Sequence, residues 1–244
     1  MMKEYLVFRL YGPLASWGQA AVGGDRLTGV QPTRSAIVGL LGAALGLKRD
    51  NEAALQSLQT SIMIAVKQCV PSSLMRDYHT AQVPSEKKNV VHYTRKSELG
   101  EAKLNTVLSS RDYRCDGLWI VAISLAEQSS FNLEQLKNAL LKPVYTLSLG
   151  RKSCPLAVPL SPQKMGVVSL QKALDTEFPP LTGSEKSDRF WLSANKQITY
   201  YWEGEKSEFN QEAILTTQPW DEPVHRGRWQ FKQRVLHQLS VVEA

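Results

Sequence analysis

Basic and aromatic side chains in loops and beside strands are the residues of this chain whose types and spacing suit a chemical task. Gly150-Arg151-Lys152-Ser153 follows a strand-like run. Its glycine allows close backbone approach to a ligand, and its amides and two cations suit phosphates. A plain surface turn with two solvated charges has the same sequence. Thr33-Arg34-Ser35 opens a helical segment, where free amides and the positive end of the dipole attract an anion. An N-cap followed by an exposed arginine reads identically. Two similar tripeptides, Arg76-Asp77-Tyr78 and Arg111-Asp112-Tyr113, bring rings and cations together, with His79 alongside. Tyr78, His79 and Tyr113 can stack on bases, as sequence-specific RNA readers do, or can serve packing. Lys87-Lys88 and Arg95-Lys96 can neutralise phosphates or stay solvated.

A conventional catalytic set is missing. The sequence holds no Walker loop, GxGxxG after a strand, HExxH, GxSxG or paired-cysteine metal motif. The four histidines, His79, His92, His225 and His237, include no i, i+4 pair. No catalytic residue, metal or cofactor is therefore assigned. Metal-independent RNA cleavage needs a base for the 2′-OH, an acid for the leaving oxygen and a cation. His79 with Tyr78 and a nearby Lys or Arg is the set that comes nearest, without an adjacent Lys-His pair.

The chain has 244 residues and a formal net charge of +6. Residues 1–160 carry 19 basic and 12 acidic side chains, net +7, and residues 161–244 carry 10 and 11, net −1. The basic surface thus belongs to the first two-thirds and favours a polyanionic partner, although a modest excess also serves solubility. Six Trp, eight Tyr and six Phe among regular aliphatic runs exclude disorder as the main state. The longest apolar run, Leu118–Ala126, is far short of the ~20 residues of a membrane span. Lys3, Glu4 and Arg9 interrupt the N-terminal apolar stretch, which excludes a signal peptide. Cys69, Cys115 and Cys154 form no close pair, which suits a reducing compartment such as the cytoplasm.

These residues need elements to hold them. Lys3–Tyr11 is predicted as a strand, Thr33–Leu47 and Asn51–Gln59 as helices, and Ile62–Gln68 as a strand. Residues 72–116 are polar and aperiodic, and are expected to leave the core as a β-hairpin or arm with the two RDY segments at its base; its tip is either hairpin or loop. Leu118–Ala126 is a buried strand, Asn132–Leu141 a helix with a capping box, and Val144–Pro159 a strand breaking into the glycine loop. Without the arm the order is β-α-β-β-α-β, that of an α+β, ferredoxin-like or RRM-like domain spanning 1–160. Leu170–Leu174 reads as a short helix. Arg189–Leu192, Ile198–Glu203, Ala213–Thr217 and Arg228–Leu239 alternate like strands of a small β-rich C-terminal domain, 161–244.

An ordered set of segments resembles a known family. RLYGPLASWGQ (Arg9–Gln19), PTRSAIVGLLGAALGL (Pro32–Leu47), LMRDYHT (Leu74–Thr80), RDYRCD (Arg111–Asp116), LKPVYTLSLGRKSCPL (Leu141–Leu156) and DEPVHRGRWQFKQR (Asp221–Arg234) together resemble the CasD-type RAMP subunits of type I-E CRISPR Cascade. The resemblance implies an RRM-like domain, a protruding β-hairpin thumb and a small C-terminal β-rich domain. It implies a non-catalytic subunit that binds the 5′ handle of the CRISPR RNA and caps the backbone-subunit filament. Its other implied partner is the large PAM-reading subunit, with target DNA met only indirectly and no membrane. Carried over by matched position, the RNA-binding set is Arg34, Ser35, Arg76, Tyr78, His79, Arg111, Tyr113, Tyr145, Gly150, Arg151, Lys152 and Ser153. Type I-C relatives process their own guide, so an endoribonuclease is the alternative.

Overall fold

Lys3–Tyr11 forms β1 with two interleaved apolar sets. Leu6, Phe8 and Leu10 enter one core, and Tyr5 and Val7 enter another on the opposite face. A strand covered on both faces reads as a nearly continuous apolar run. This computed structural model describes residues 2–19, 21, 23–86, 89–192, 197–225, 228 and 230–242. Lys87 and Lys88, expected as cations on the arm, lie outside the described residues.

Two short strands follow, β2 (Leu14–Ala15) and β3 (Asp25–Arg26). The Thr33 hydroxyl then caps α1 (Arg34–Leu45) by accepting from the Ala36 amide. Helix α2 (Glu52–Ser61) leads into β4 (Ile62–Val70). Strands β5 (Ser73–Pro84) and β6 (Leu104–Cys115) form a long hairpin, paired from Ser73↔Cys115 to Pro84↔Leu104, and its far end holds α3 (Arg95–Leu99). The other edge of β6 pairs with β2 and β3, which roots the hairpin in the body. Next come β7 (Leu118–Leu125) and α4 (Leu133–Leu141), capped by the Asn132 side chain.

The fourth strand is β8 (Gln163–Val167), not Val144–Pro159 as expected. Prolines at 143, 155 and 159 remove ladder donors, and Gly150 turns the chain with φ +89°. That segment keeps one isolated bridge, Ser148↔Pro155. The strands β8-β1-β7-β4 are antiparallel neighbours in that order. This is the ferredoxin-like order, with α1 and α4 packed on one face through Ile37, Leu41, Leu136 and Leu140. The unit therefore runs to Val167, past the boundary expected at 160.

Beyond it lie α5 (Leu170–Leu174), α6 (Glu185–Trp191), β9 (Gln197–Trp202), β10 (Leu215–Thr217), β11 (Glu222–His225), β12 (Gln230–Lys232) and β13 (Leu236–Val242). Strands expected to stand apart as a C-terminal domain instead lengthen the same sheet: the order is β10-β13-β9-β4-β7-β1-β8. The reason is the edge of β4, which would otherwise expose unpaired amides. Strand β9 pairs with it from Ala65↔Trp202 to Gln68↔Thr199. Tyr200 and Trp202 then join α5 over the second face. Only β11 and β12 form a separate two-stranded sheet among the described residues. Arg189–Leu192, expected as a strand, is the last turn of α6 and its cap, because Ser184 starts a helix there. Arg228–Leu239 divides between β12 and β13.

Candidate nucleic-acid interface

Leu147, Leu149 and Cys154 are buried in the core beneath α1 and α4, and they pin the glycine loop to the body. The Leu149 amide donates to the Cys154 carbonyl at 2.7 Å, and the Cys154 amide to the Arg151 carbonyl at 2.9 Å. Ser16, after β2, donates its amide to the Leu149 carbonyl at 2.9 Å. That contact brings the Ser16 carbonyl so near Gly150 that a Cβ there would lie 1.8 Å from it. The close approach foreseen for a ligand is thus made by the chain itself. Lys152 and Ser153 remain exposed at the tip.

The same loop meets the root of the hairpin. Arg151 donates from Nη1 to the Asp112 carbonyl at 3.2 Å and from Nη2 to the Arg26 carbonyl at 2.9 Å. Its guanidinium carbon sits 4.9 Å from the centre of the Tyr113 ring, a cation–π contact. Tyr113 is buried and so packs rather than stacks on a ligand. The Ser16 hydroxyl donates to the Asp112 carbonyl at 3.2 Å. Across the hairpin, Arg76 makes a bidentate pair with Asp112, at 2.8 Å from Nε and 3.0 Å from Nη2. Asp112 is buried, whereas the Arg76 side chain is 57% exposed. Arg76 holds the Asp112 carboxyl below the usual carboxylate range, against the opposite pull of burial; Arg114 and Arg151 add to the effect.

Strand alternation sorts the remaining candidates. Arg76 and Tyr78 share the face of Asp112, and Tyr78 is exposed. Asp77 and His79 share the other face with Arg111 and Tyr113, and the His79 ring is hydrogen-bonded to the Asp77 carboxylate. Arg111 is exposed and lies beside Arg26, its register partner on β3. Five arginines, at 26, 76, 111, 114 and 151, thus gather at the hairpin root.

Three expected members stand elsewhere. Arg34 is buried, its Nη1 2.5 Å from Glu203 and its Nη2 donating to the carbonyls of Gln59 and Ile62. The anion at the α1 N-terminus is internal: the Asp221 carboxylate accepts from the Arg34 amide at 2.9 Å. Arg234 pairs with both Asp221 and Glu203 and completes the cluster. Ser35 hydrogen-bonds the Thr33 hydroxyl at 3.2 Å. Tyr145 is exposed at the far end of α1, its amide donating to the Ala43 carbonyl. The residues that sequence reasoning missed are Ser16, Arg26 and Arg114, and Asp112 was given no role of its own. Asp112 carried a signal, its place in a repeated RDY; Ser16 carried none. Among the described residues no three His, Cys, Asp or Glu side chains cluster as a metal site requires, and no helix is long and apolar enough to cross a membrane.

A family described as CRISPR-associated protein (Cas_Cas5) matches residues 5–237 of the chain. The chain belongs to the Cas5 family. A relative in Escherichia coli (strain K12), the CRISPR system Cascade subunit CasD, is 37% identical over 195 residues, 77% of this chain and 82% of that protein. Two solved structures share the Cas5 fold seen here. One is a chain of a CRISPR RNA-guided surveillance complex, with a TM-score of 0.64 and 23% identity over 98% of this chain and 89% of the other. The second, titled crystal structure of Cas protein, gives 0.61 and 22% over 98% and 95%.

Proposed function

We propose that this Cas5-family chain is a non-catalytic subunit of a Cascade-type surveillance complex in the cytoplasm. In this reading it captures the 5′ handle of the CRISPR RNA and caps the filament of backbone subunits. The large PAM-reading subunit is its other neighbour, and target DNA reaches it only through the complex. The observation that carries the reading is the convergence of the 150–153 loop and the hairpin root, where Arg76, Arg114 and Arg151 act on the buried carboxylate of Asp112 and Arg26 and Arg111 pair alongside. Lys152, Arg111 and the outer edge of Arg76 are the cations offered to phosphates, Ser153 is a further donor, and exposed Tyr78 shares the Arg76 face while half-buried His79 shares the Arg111 face. Arg151, Tyr113 and Gly150 shape the surface from beneath. Arg34 holds the fold.

The test is direct binding of labelled single-stranded RNA to the full chain, with and without the host repeat's 5′ handle, over a salt series. Handle RNA should bind tighter, with a log–log salt slope of roughly −0.7 per phosphate neutralised. Lys152→Ala and Arg111→Ala should each weaken binding by roughly 1–3 kcal/mol, as for a charge-assisted hydrogen bond. Affinity that ignores both the handle and the salt would sink the reading.

A further inference from the structure

An acid at the centre of a phosphate-binding surface opposes the binding it sits among, so its presence needs a cause other than charge. Asp112 is 3% exposed and faces Arg76 from the adjoining strand. It engages two guanidinium nitrogens, Nε and Nη2, and leaves Nη1 without a protein partner among the described residues. The Arg76 side chain stays 57% exposed despite this double anchor. A free arginine loses rotamer entropy when it fixes a phosphate, whereas one already held presents its remaining donors in a set direction. The Asp112 backbone is fixed in turn by Ser16 and Arg151, which both donate to its carbonyl.

We propose that Asp112 is a positioning residue for RNA: it holds Arg76 so that Nη1 meets one backbone phosphate of the guide. The proposal rests on the RNA-binding reading above. Electrostatics and positioning then predict opposite signs for one substitution. Asp112→Asn removes a negative charge from a basic surface, which by charge alone tightens RNA binding. As a positioning residue, its loss frees Arg76 and weakens binding.

The experiment measures affinity of handle RNA for the full chain across a salt series, with circular dichroism to confirm folding. Wild type comes first; a wild-type chain that does not bind RNA overturns the RNA-binding reading and this proposal with it. Given wild-type binding, Asp112→Asn should weaken it about five- to tenfold, the scale of one ordinary net hydrogen bond. The salt slope should shrink by about 0.7, one phosphate contact on a single strand. In an Arg76→Ala background Asp112→Asn should cause no further weakening. Equal or tighter binding by Asp112→Asn overturns the proposal, and so does an undiminished effect in the Arg76→Ala background. Arg76→Lys keeps the charge but lacks the planar fork that grips Asp112 at two points and aims a third donor, so it serves if Asp112→Asn does not fold. It should lose nearly as much affinity as Arg76→Ala, and wild-type affinity in Arg76→Lys overturns the proposal.

Discussion

Gly150 and Ser16, 134 positions apart in sequence, meet backbone to backbone: a Cβ on Gly150 would lie 1.8 Å from the Ser16 carbonyl oxygen. Gly150 also has φ +89°, in the left-handed region. Both facts bind the glycine to the fold and not to a ligand. Gly150→Ala should therefore destabilise the chain itself. Positive φ alone costs a non-glycine residue about 1–3 kcal/mol, and the Ser16 contact adds to it. For a domain of this size each kcal/mol lowers Tm by roughly 2–4 °C. A fall of about 5–10 °C in a thermal melt is expected, against an unchanged Tm for Lys152→Ala. A wild-type Tm in Gly150→Ala would show that the loop is not fixed by Ser16.

Arg34 separates the fold from the interface. Its guanidinium is buried against Glu203, and its amide donates to Asp221. Removing the Arg34 guanidinium leaves Glu203 to Arg234 and takes a donor from the carbonyls of Gln59 and Ile62, at a cost of roughly 1–3 kcal/mol for each buried group left unsatisfied. Arg34→Met, which keeps much of the side-chain volume, should lower the unfolding free energy by at least that amount, read from the denaturant midpoint and slope. Arg111→Ala, at an exposed position, should stay within about 0.5 kcal/mol of wild type. A small shift in Arg34→Met would return Arg34 to the list of RNA contacts.

These two residues also mark how far the sequence could be read. Elements with local signals were legible: β1 from its run of aromatic and aliphatic residues, α1 from Thr33, α4 from Asn132, and the pairing of the RDY segments from their symmetry about a hairpin. Legibility ended where the deciding contact was remote. The Asp221 carboxylate that occupies the α1 N-terminus is 187 residues away, so the helix start resembled an open anion site. The 144–159 segment has strand-like residues, yet its prolines deny it a ladder and leave the fourth place to β8. The C-terminal strands alternate as expected, but nothing local says that β9 completes the edge of β4.

Acid should loosen the hairpin root. Arg76, by donating two hydrogen bonds, holds the Asp112 carboxyl below its ordinary range. A group with a depressed folded pKa contributes stability that is present above its unfolded value, about 3.9 for Asp. That contribution is lost as pH falls through the lower folded value. Asp188 adds to the same limb: the Thr182 hydroxyl and the Leu181 and Thr182 amides outweigh burial and lower its pKa. Stability of the wild type should therefore decline below about pH 4. Asp112→Asn should show a shallower decline, with the Asp188 part retained. Chemical denaturation at stepped pH measures this, and parallel curves for the two proteins would remove Asp112 from the acid response.

The isolated chain should not cut repeat RNA. Metal-independent cleavage needs a base at the 2′-OH and an acid at the leaving oxygen, both within about 2.6–3.2 Å of their protons. Tyr78 and His79 are consecutive on β5, so their side chains leave opposite faces of the strand and cannot flank one phosphate together. On the His79 face the nearest tyrosine of the hairpin is Tyr113, which lies opposite Met75, four positions along the ladder, and is buried under the Arg151 guanidinium. His79 is paired with Asp77, which supplies a base, and Arg111 shares that face as a cation. An acid to match them is missing among the described residues there. Purified chain incubated with end-labelled repeat RNA, without divalent metal, should leave it intact over hours. A discrete product that disappears in His79→Ala would overturn the non-catalytic reading and make the Asp77–His79 pair the base of a nuclease.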